Sequence, residues 1–249
     1  MGPALAEFIH DGPSAAAWTV VLAHGAGQGM RSAFMEAFAG GLVARGDEVG
    51  GVRCVRFEFP YMIQNRASTA GRRPPDREAV LLACWRDTVA ALAPDPQGRR
   101  RLVIGGKSMG GRMASLVADE LAVAGLLCLG YPFHPAGKPR QLRTDHLQTL
   151  VTPTLICQGE RDPLGTRDEV AQYPLSKAID LHWLPAGDHG YRPPKSAPHS
   201  EVDNWNRAMT AVLHFLRRLE HLEAVPRPRR SRRNGVEVKR SRSDSPGGP

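Results

Sequence analysis

The sequence predicts an α/β fold, a mostly parallel sheet flanked by helices on both faces. Short apolar runs of strand length alternate with longer segments of helical periodicity through most of the chain. The 249 residues, 41% of them apolar, suffice for one large domain with a sizeable core, and no apolar run approaches the ~18 residues of a membrane span. We therefore expect one domain over residues 1–224 and a separate tail over residues 225–249.

The predicted elements follow one another as β-α units. The expected strands are Trp18–Ala23, Val52–Phe59, Leu102–Ile104, Leu126–Leu129, Thr154–Cys157 and Leu181–Leu184. The expected helices are Phe34–Ala44, Arg77–Leu92, Met109–Ala124, one between the last two strands, and Val202–Leu222. Pro94 closes the second helix, and the last helix is amphipathic, with apolar side chains at helical spacing.

The cysteine pattern argues against a disulfide framework or a metal site. Cys54, Cys84, Cys128 and Cys157 are far apart, and no Cys/His group has the spacing of zinc ligands. They are expected to be small core residues in a reducing compartment. With no secretory signal pattern at the N-terminus, we predict a cytoplasmic protein without a metal or other cofactor.

The net charge of +8 first suggests a nucleic-acid partner. However, residues 225–249 carry eight basic and two acidic residues, which leaves only +2 on the rest of the chain. The tail is expected to be disordered, and a solvated extension is favoured over binding to nucleic acid or an acidic surface. Any nucleic-acid binding would involve only this tail.

The segment Gly106-Lys-Ser-Met-Gly110 fits the G-x-S-x-G pattern of a nucleophile elbow. It follows a predicted strand and opens a predicted helix, as that pattern requires. Glycines two residues from Ser108 remove side chains that would collide in the tight turn. Ser108 is therefore the candidate nucleophile, and the backbone N–H of Met109 is a candidate oxyanion donor.

Two phosphate-binding alternatives fail on their spacing. A P-loop needs a glycine where this chain has Arg101, and a dinucleotide fingerprint needs one where it has Met30.

A nucleophilic serine needs a base, and that base needs a carboxylate to orient it. His189 lies in a glycine-flanked loop after the last predicted strand, and Asp162 follows the strand before it. Glu160 and Asp168 compete for the acid role, whereas Asp188 adjoins the base and is expected to point elsewhere.

The loop after the first parallel strand should supply a second oxyanion donor. In His24-Gly-Ala-Gly27 the small residues allow close approach of substrate, and the N–H of Ala26 is the best-placed donor. His24 is expected to hold this loop by hydrogen bonds.

Five segments together resemble the α/β-hydrolase superfamily. They are His24–Gly27, Gly106–Arg112, Tyr131–His134, Gly159–Asp162 and Asp188–His189. Ser108, Asp162 and His189 also follow in the order that this fold uses. More narrowly, the chain is similar to the dienelactone-hydrolase-like branch of this superfamily. That branch includes bacterial predicted hydrolases and proteins of the type of testis-expressed protein thirty and NSL complex subunit three. The resemblance implies an α/β-hydrolase fold, here with little or no lid.

Three predicted loops at the mouth of the site contain basic residues and no acidic ones. They are Pro60–Pro75 with Arg66, Arg72 and Arg73, Tyr131–Arg140 with Lys138 and Arg140, and Gly190–Ser200 with Arg192 and Lys195. This pattern favours an anionic acyl substrate, although long loops also simply tolerate arginine. Arg72, His134 and Lys107 are the candidate substrate contacts.

These features predict a carboxylesterase-like serine hydrolase that acts through an acyl-Ser108 intermediate. Two alternatives remain. One is a non-catalytic interaction module with the same fold, and the other is an acyltransferase that uses the same residues.

Overall fold

A seven-stranded sheet forms the centre of the molecule in the computed structural model, which describes residues 7–69 and 71–224. The strands are β1 (Phe8–Asp11), β2 (Trp18–Ala23), β3 (Val52–Phe57), β4 (Leu102–Lys107), β5 (Gly125–Leu129), β6 (Thr154–Gly159) and β7 (Ile179–Leu184). They are ordered β1-β3-β2-β4-β5-β6-β7 across the sheet. Only β1 is antiparallel to its neighbour, and the other pairs are parallel.

Helices cover both faces of the sheet. They are α1 (Ala33–Ala44), α2 (Pro60–Ala67), α3 (Glu78–Leu92), α4 (Pro96–Arg99), α5 (Met109–Ser115), α6 (Ala118–Leu121), α7 (Arg167–Val170) and α8 (Glu201–Ala224), with 3-10 turns at Gly46–Val49 and Asp145–Gln148. One buried cluster joins the sheet to α1 and α8, and a second joins it to α3 and α5. The predicted fold class is therefore confirmed.

The register of the parallel strands brings six loops, those after β2 to β7, to one edge of the sheet. Ala23 at the end of β2 pairs with Gly106 on β4, and Lys107 pairs with Leu129 at the end of β5. Further along the sheet, Gly159 at the end of β6 pairs with Leu184 at the end of β7. The loops that follow these strands carry the residues singled out in the sequence, as expected for the carboxyl edge of an α/β sheet.

The connection between β5 and β6, residues 130–153, contains a single 3-10 turn and no inserted helical layer. The expectation of little or no lid is thus confirmed. None of the helices described is both long and apolar enough to cross a membrane. The predicted tail over residues 225–249 lies outside the described residues.

Several predicted elements needed correction. The helix predicted over Met109–Ala124 is two helices, because Val117, with φ −122° and ψ −4°, leaves the helical conformation between α5 and α6. The helix predicted between β6 and β7 is the single turn α7. Strand β1 and helix α2 were not predicted.

Candidate active site

Ser108 occupies a strained turn between β4 and α5. Its φ of +52° and ψ of −114° lie where non-glycine residues are rarely found. A Cβ on Gly110 would come within 2.7 Å of the His24 carbonyl oxygen, so a glycine is required for the close approach of the β2 loop. The turn leaves Ser108 partly exposed and places Met109 at the first position of α5.

Ser108, His189 and Asp162 form one hydrogen-bonded chain. His189 Nε2 lies 2.9 Å from Ser108 Oγ, and His189 Nδ1 lies 2.7 Å from Asp162 Oδ2. A carboxylate can only accept, so Nδ1 carries the proton of the neutral ring and Nε2 is free to accept from the serine hydroxyl. The arrangement is that of a base able to deprotonate Ser108 while Asp162 fixes its tautomer.

Asp162 is fully buried and holds its orientation through three partners. Besides His189, its Oδ2 accepts from Gln158 Nε2 at 3.0 Å, and its Oδ1 accepts from the Leu164 N–H at 2.9 Å. Gln158 is fully buried as well, and its Oε1 accepts from the Tyr131 N–H at 2.7 Å. Gln158 is a positioning residue that the sequence interpretation missed, because a strand glutamine carries no distinctive signal.

The competing acids point elsewhere. Glu160 accepts from the Ala186 N–H at 2.9 Å and from Arg167 at 2.7 Å, and the first of these bonds lowers its pKa most. Asp188 Oδ1 accepts from the Gly190 and Arg192 N–H groups and so closes its own turn, while Asp168 lies exposed on α7.

The loop after β2 is held by His24 as expected. His24 Nε2 accepts from the Phe59 N–H at 3.1 Å, so Nδ1 carries the proton and donates to the Gly25 carbonyl at 2.7 Å. Burial lowers the pKa of His24 and keeps the ring neutral. Tyr61, which was not predicted, donates through its hydroxyl to the Ala26 carbonyl at 3.0 Å.

These bonds orient the peptide between Gly25 and Ala26. In a planar trans peptide the N–H points opposite to the C=O, so anchoring the Gly25 carbonyl directs the Ala26 N–H to the other side of the loop. The Met109 N–H lies in the first turn of α5, where N–H groups have no partner within the helix. The structure brings the loop of Ala26 beside the elbow, since a Cβ on Gly25 would lie 3.6 Å from Ser108 Cβ.

Two of the three candidate substrate contacts turn inward. Lys107 Nζ donates to the carbonyl of His189 at 2.6 Å. His134 is buried, with Nδ1 3.0 Å from the Pro135 carbonyl and Nε2 3.7 Å from a Glu169 oxygen. Lys107 thus bonds the protein itself, whereas His134 Nε2 is buried without a hydrogen-bond partner, and substrate contact by either residue stays a prediction.

Arg72 remains at the mouth of the site. It is exposed, and its Nη1 donates to the Gly27 carbonyl at 3.3 Å. Other predicted rim cations are engaged within the protein: Arg66 pairs with Glu7 at 2.6 Å, and Arg192 pairs with Glu201 at 3.4 Å. The basic rim is therefore less extensive than the loop sequences suggested, because acids from other segments fold onto it.

Two further features lie apart from the triad. A groove of about 640 Å³ runs between β7 and α8, and its polar lining includes His182, Arg207 and His214. It contains none of Ser108, Asp162 and His189, so we place the candidate chemistry at the elbow. Within residues 7–69 and 71–224, no cluster of three or more His, Cys, Asp or Glu could hold a metal ion.

A family model described as an alpha/beta hydrolase domain matches residues 16–217 of the chain. The chain belongs to the α/β-hydrolase family. This α/β hydrolase superimposes on a dienelactone hydrolase from Anabaena variabilis with a TM-score of 0.63 at 19% identity, covering 86% of this chain and 93% of that one.

Two other solved structures share the fold of this α/β hydrolase. A lidless α/β serine hydrolase from Xanthomonas campestris gives a TM-score of 0.56 at 18% identity and covers 90% of this chain and 91% of its own. A thermophilic esterase from Thermogutta terrifontis gives 0.58 at 16% identity, with 86% and 93% covered.

Proposed function

We propose that this α/β hydrolase is a serine hydrolase that cleaves a carboxylic ester or a related acyl bond. The observation that carries the proposal is the chain of hydrogen bonds from Ser108 through His189 to Asp162, which begins on a strained elbow. Dienelactone hydrolase and esterases among the structures of the same fold lend support.

The reaction would proceed in two steps. Ser108 Oγ attacks the acyl carbon while His189 Nε2 takes the hydroxyl proton, and His189 then returns that proton to the leaving group. Water, deprotonated by His189, then attacks the acyl carbon of acyl-Ser108, and His189 passes that proton to Ser108 Oγ as the carboxylic acid is released. The N–H groups of Met109 and Ala26 would donate to the oxyanion in both steps.

The substrate is proposed to be a small acyl compound with an anionic group. Arg72 supports this preference, because its exposed guanidinium bonds the Gly27 carbonyl in the loop His24–Gly27, here called the oxyanion loop. Among the described residues it has no ion pair with an acid. A guanidinium binds carboxylate and phosphate groups through directed hydrogen bonds.

The reaction class is tested with one acyl group in three linkages. The purified protein is assayed with p-nitrophenyl acetate, an acetyl thioester and an acetyl anilide, and Ser108→Ala is assayed in parallel. We expect turnover of at least one compound by the wild type and its loss in Ser108→Ala. Turnover that survives in Ser108→Ala would contradict the proposal.

A further inference from the structure

Lys107, the residue before the candidate nucleophile, has an unusual environment for a lysine. Its side chain leaves the end of β4 and runs inward, so that Nζ lies 5.8 Å from the ring centre of Phe34 and 5.6 Å from that of Tyr191. Both distances are in the range of cation–π attraction. The ammonium of Lys107 therefore lies near two aromatic rings, on the residue next to the candidate nucleophile.

Gly130 provides the space for this ammonium. It follows β5 with φ +70°, and a Cβ there would lie 2.7 Å from Lys107 Nζ and 3.4 Å from His189 Cε1. A Cβ at position 130 would crowd the ammonium, whereas its contact with the imidazole would be an ordinary van der Waals one. The cradle thus holds the lysine and the candidate base side by side.

The ammonium donates to the backbone of the candidate base itself, at 2.6 Å from the His189 carbonyl oxygen. Neighbouring carbonyls of the same loop accept from neutral donors: that of Gly187 from the Arg161 N–H, that of Gly190 from the Trp205 indole and that of Tyr191 from the Asn204 amide. Lys107 therefore supplies a charged hydrogen bond, the stronger kind, at the residue whose position matters most.

We propose that Lys107 is a positioning residue that ties the base to the nucleophile. The side chains of Ser108 and His189 meet through Oγ and Nε2. Lys107 joins the same two residues a second time, because it is bonded to Ser108 through the peptide and its Nζ donates to the His189 carbonyl. The resulting closed ring fixes where His189 can lie relative to Ser108. This positioning role replaces the substrate contact that the sequence predicted for Lys107.

The charges around Lys107 agree with the assignment. The buried carboxylate of Asp162 and the neighbouring Asp188 both favour the protonated form of the lysine, and the packed rings of Phe34 and Tyr191 carry no charge. Burial is the larger effect and lowers the pKa of Lys107 to about 8. At neutral pH the ammonium thus remains charged and offsets the buried carboxylate of Asp162.

The test compares Lys107→Met, which keeps the length of the stem, with Lys177→Met, which removes an exposed lysine. With p-nitrophenyl acetate we expect kcat of Lys107→Met to fall on the order of tenfold or more with KM nearly unchanged, because the base is displaced. Lys177→Met should match the wild type. A rise in KM at constant kcat would instead assign Lys107 to substrate binding and overturn the proposal.

A second readout does not need activity, because only the kinetic test rests on the proposed function. Long-range 1H–15N correlation spectra of protein labelled in histidine, with His189 assigned by its loss in His189→Asn, report which ring nitrogen is protonated. We expect Nδ1–H in the wild type and Lys177→Met, and an altered His189 signal in Lys107→Met.

A His189 signal unchanged in Lys107→Met overturns the proposal. An inactive wild type with this spectral change would defeat the proposed function but keep the role of Lys107. If Lys107→Met fails to fold by circular dichroism, Lys107→Gln is measured in the same way.

Discussion

Gln158 and His189 donate to the same oxygen of the buried Asp162 carboxylate, at 3.0 and 2.7 Å. The glutamine thereby fixes the plane of the carboxylate that orients the base. Because it also accepts from the Tyr131 N–H, its removal leaves a buried donor without a partner.

Gln158→Leu should impair both activity and stability. We expect kcat to fall on the order of tenfold, since Asp162 loses a fixed orientation. The free energy of unfolding should fall by about 2 kcal/mol for the orphaned polar groups. Ester hydrolysis and urea unfolding measure the two effects, with the exposed Gln172→Leu as the control. A kcat within twofold of the wild type would contradict a role for Gln158 in orienting Asp162.

Ser108→Gly should be more stable than Ser108→Ala. Both variants lose the hydroxyl, but only glycine adopts the φ of +52° without a steric penalty. We expect a difference of about 1 kcal/mol in the free energy of unfolding by urea, despite the greater freedom of glycine in the unfolded chain. Equal stabilities would show that the elbow stores no strain.

Arg72→Gln should weaken the preference for anionic substrates. The ratio of kcat/KM for a p-nitrophenyl ester bearing a carboxylate to that for a neutral ester should fall about fivefold, the scale of an exposed ion pair. The loss should shrink as salt is added. Arg73→Gln is the matched control, because Arg73 bonds Gln64 instead of the oxyanion loop. A ratio equally changed in both variants would argue against a specific role for Arg72.

Lys107 should make stability rise with pH in alkaline solution. The folded pKa is about 8 against an ordinary 10.5, so between these values the unfolded chain binds more protons than the folded one. The unfolding free energy of the wild type should therefore gain about 3 kcal/mol relative to Lys107→Met from pH 8 to 10.5. Urea unfolding at pH 7, 9 and 10.5 measures this gain, and parallel curves for the two proteins would refute it.

The sequence was sufficient to predict the strands that build the parallel sheet, because their apolar runs are short and bounded by turn residues. It did not predict β1, where Phe8–Asp11 has no clear alternation and pairs only at the sheet edge. It also missed the break at Val117. That residue is fully buried, and packing of its side chain overrides the local helical preference.

In the candidate site, motifs predicted Ser108, Asp162 and His189, because these residues lie in loops with distinctive glycines. The structure brings the three side chains together. Their supporting contacts were harder to foresee. Tyr61, Gln158 and Lys107 act through side chains that reach across the carboxyl edge of the sheet, and nothing in their local sequence gives that direction. The ion pair of Arg66 could not be predicted from its local sequence either, because its partner Glu7 is 59 positions away.

Covalent labelling distinguishes a nucleophilic Ser108 from an unreactive one. The purified protein is treated with a fluorophosphonate, digested, and analysed by mass spectrometry, with Ser108→Ala and His189→Asn alongside. We expect one adduct, on the peptide that contains Ser108, absent from Ser108→Ala and formed far more slowly in His189→Asn. A folded wild type that takes up no label, or that is labelled at another residue, would contradict a serine hydrolase built on Ser108.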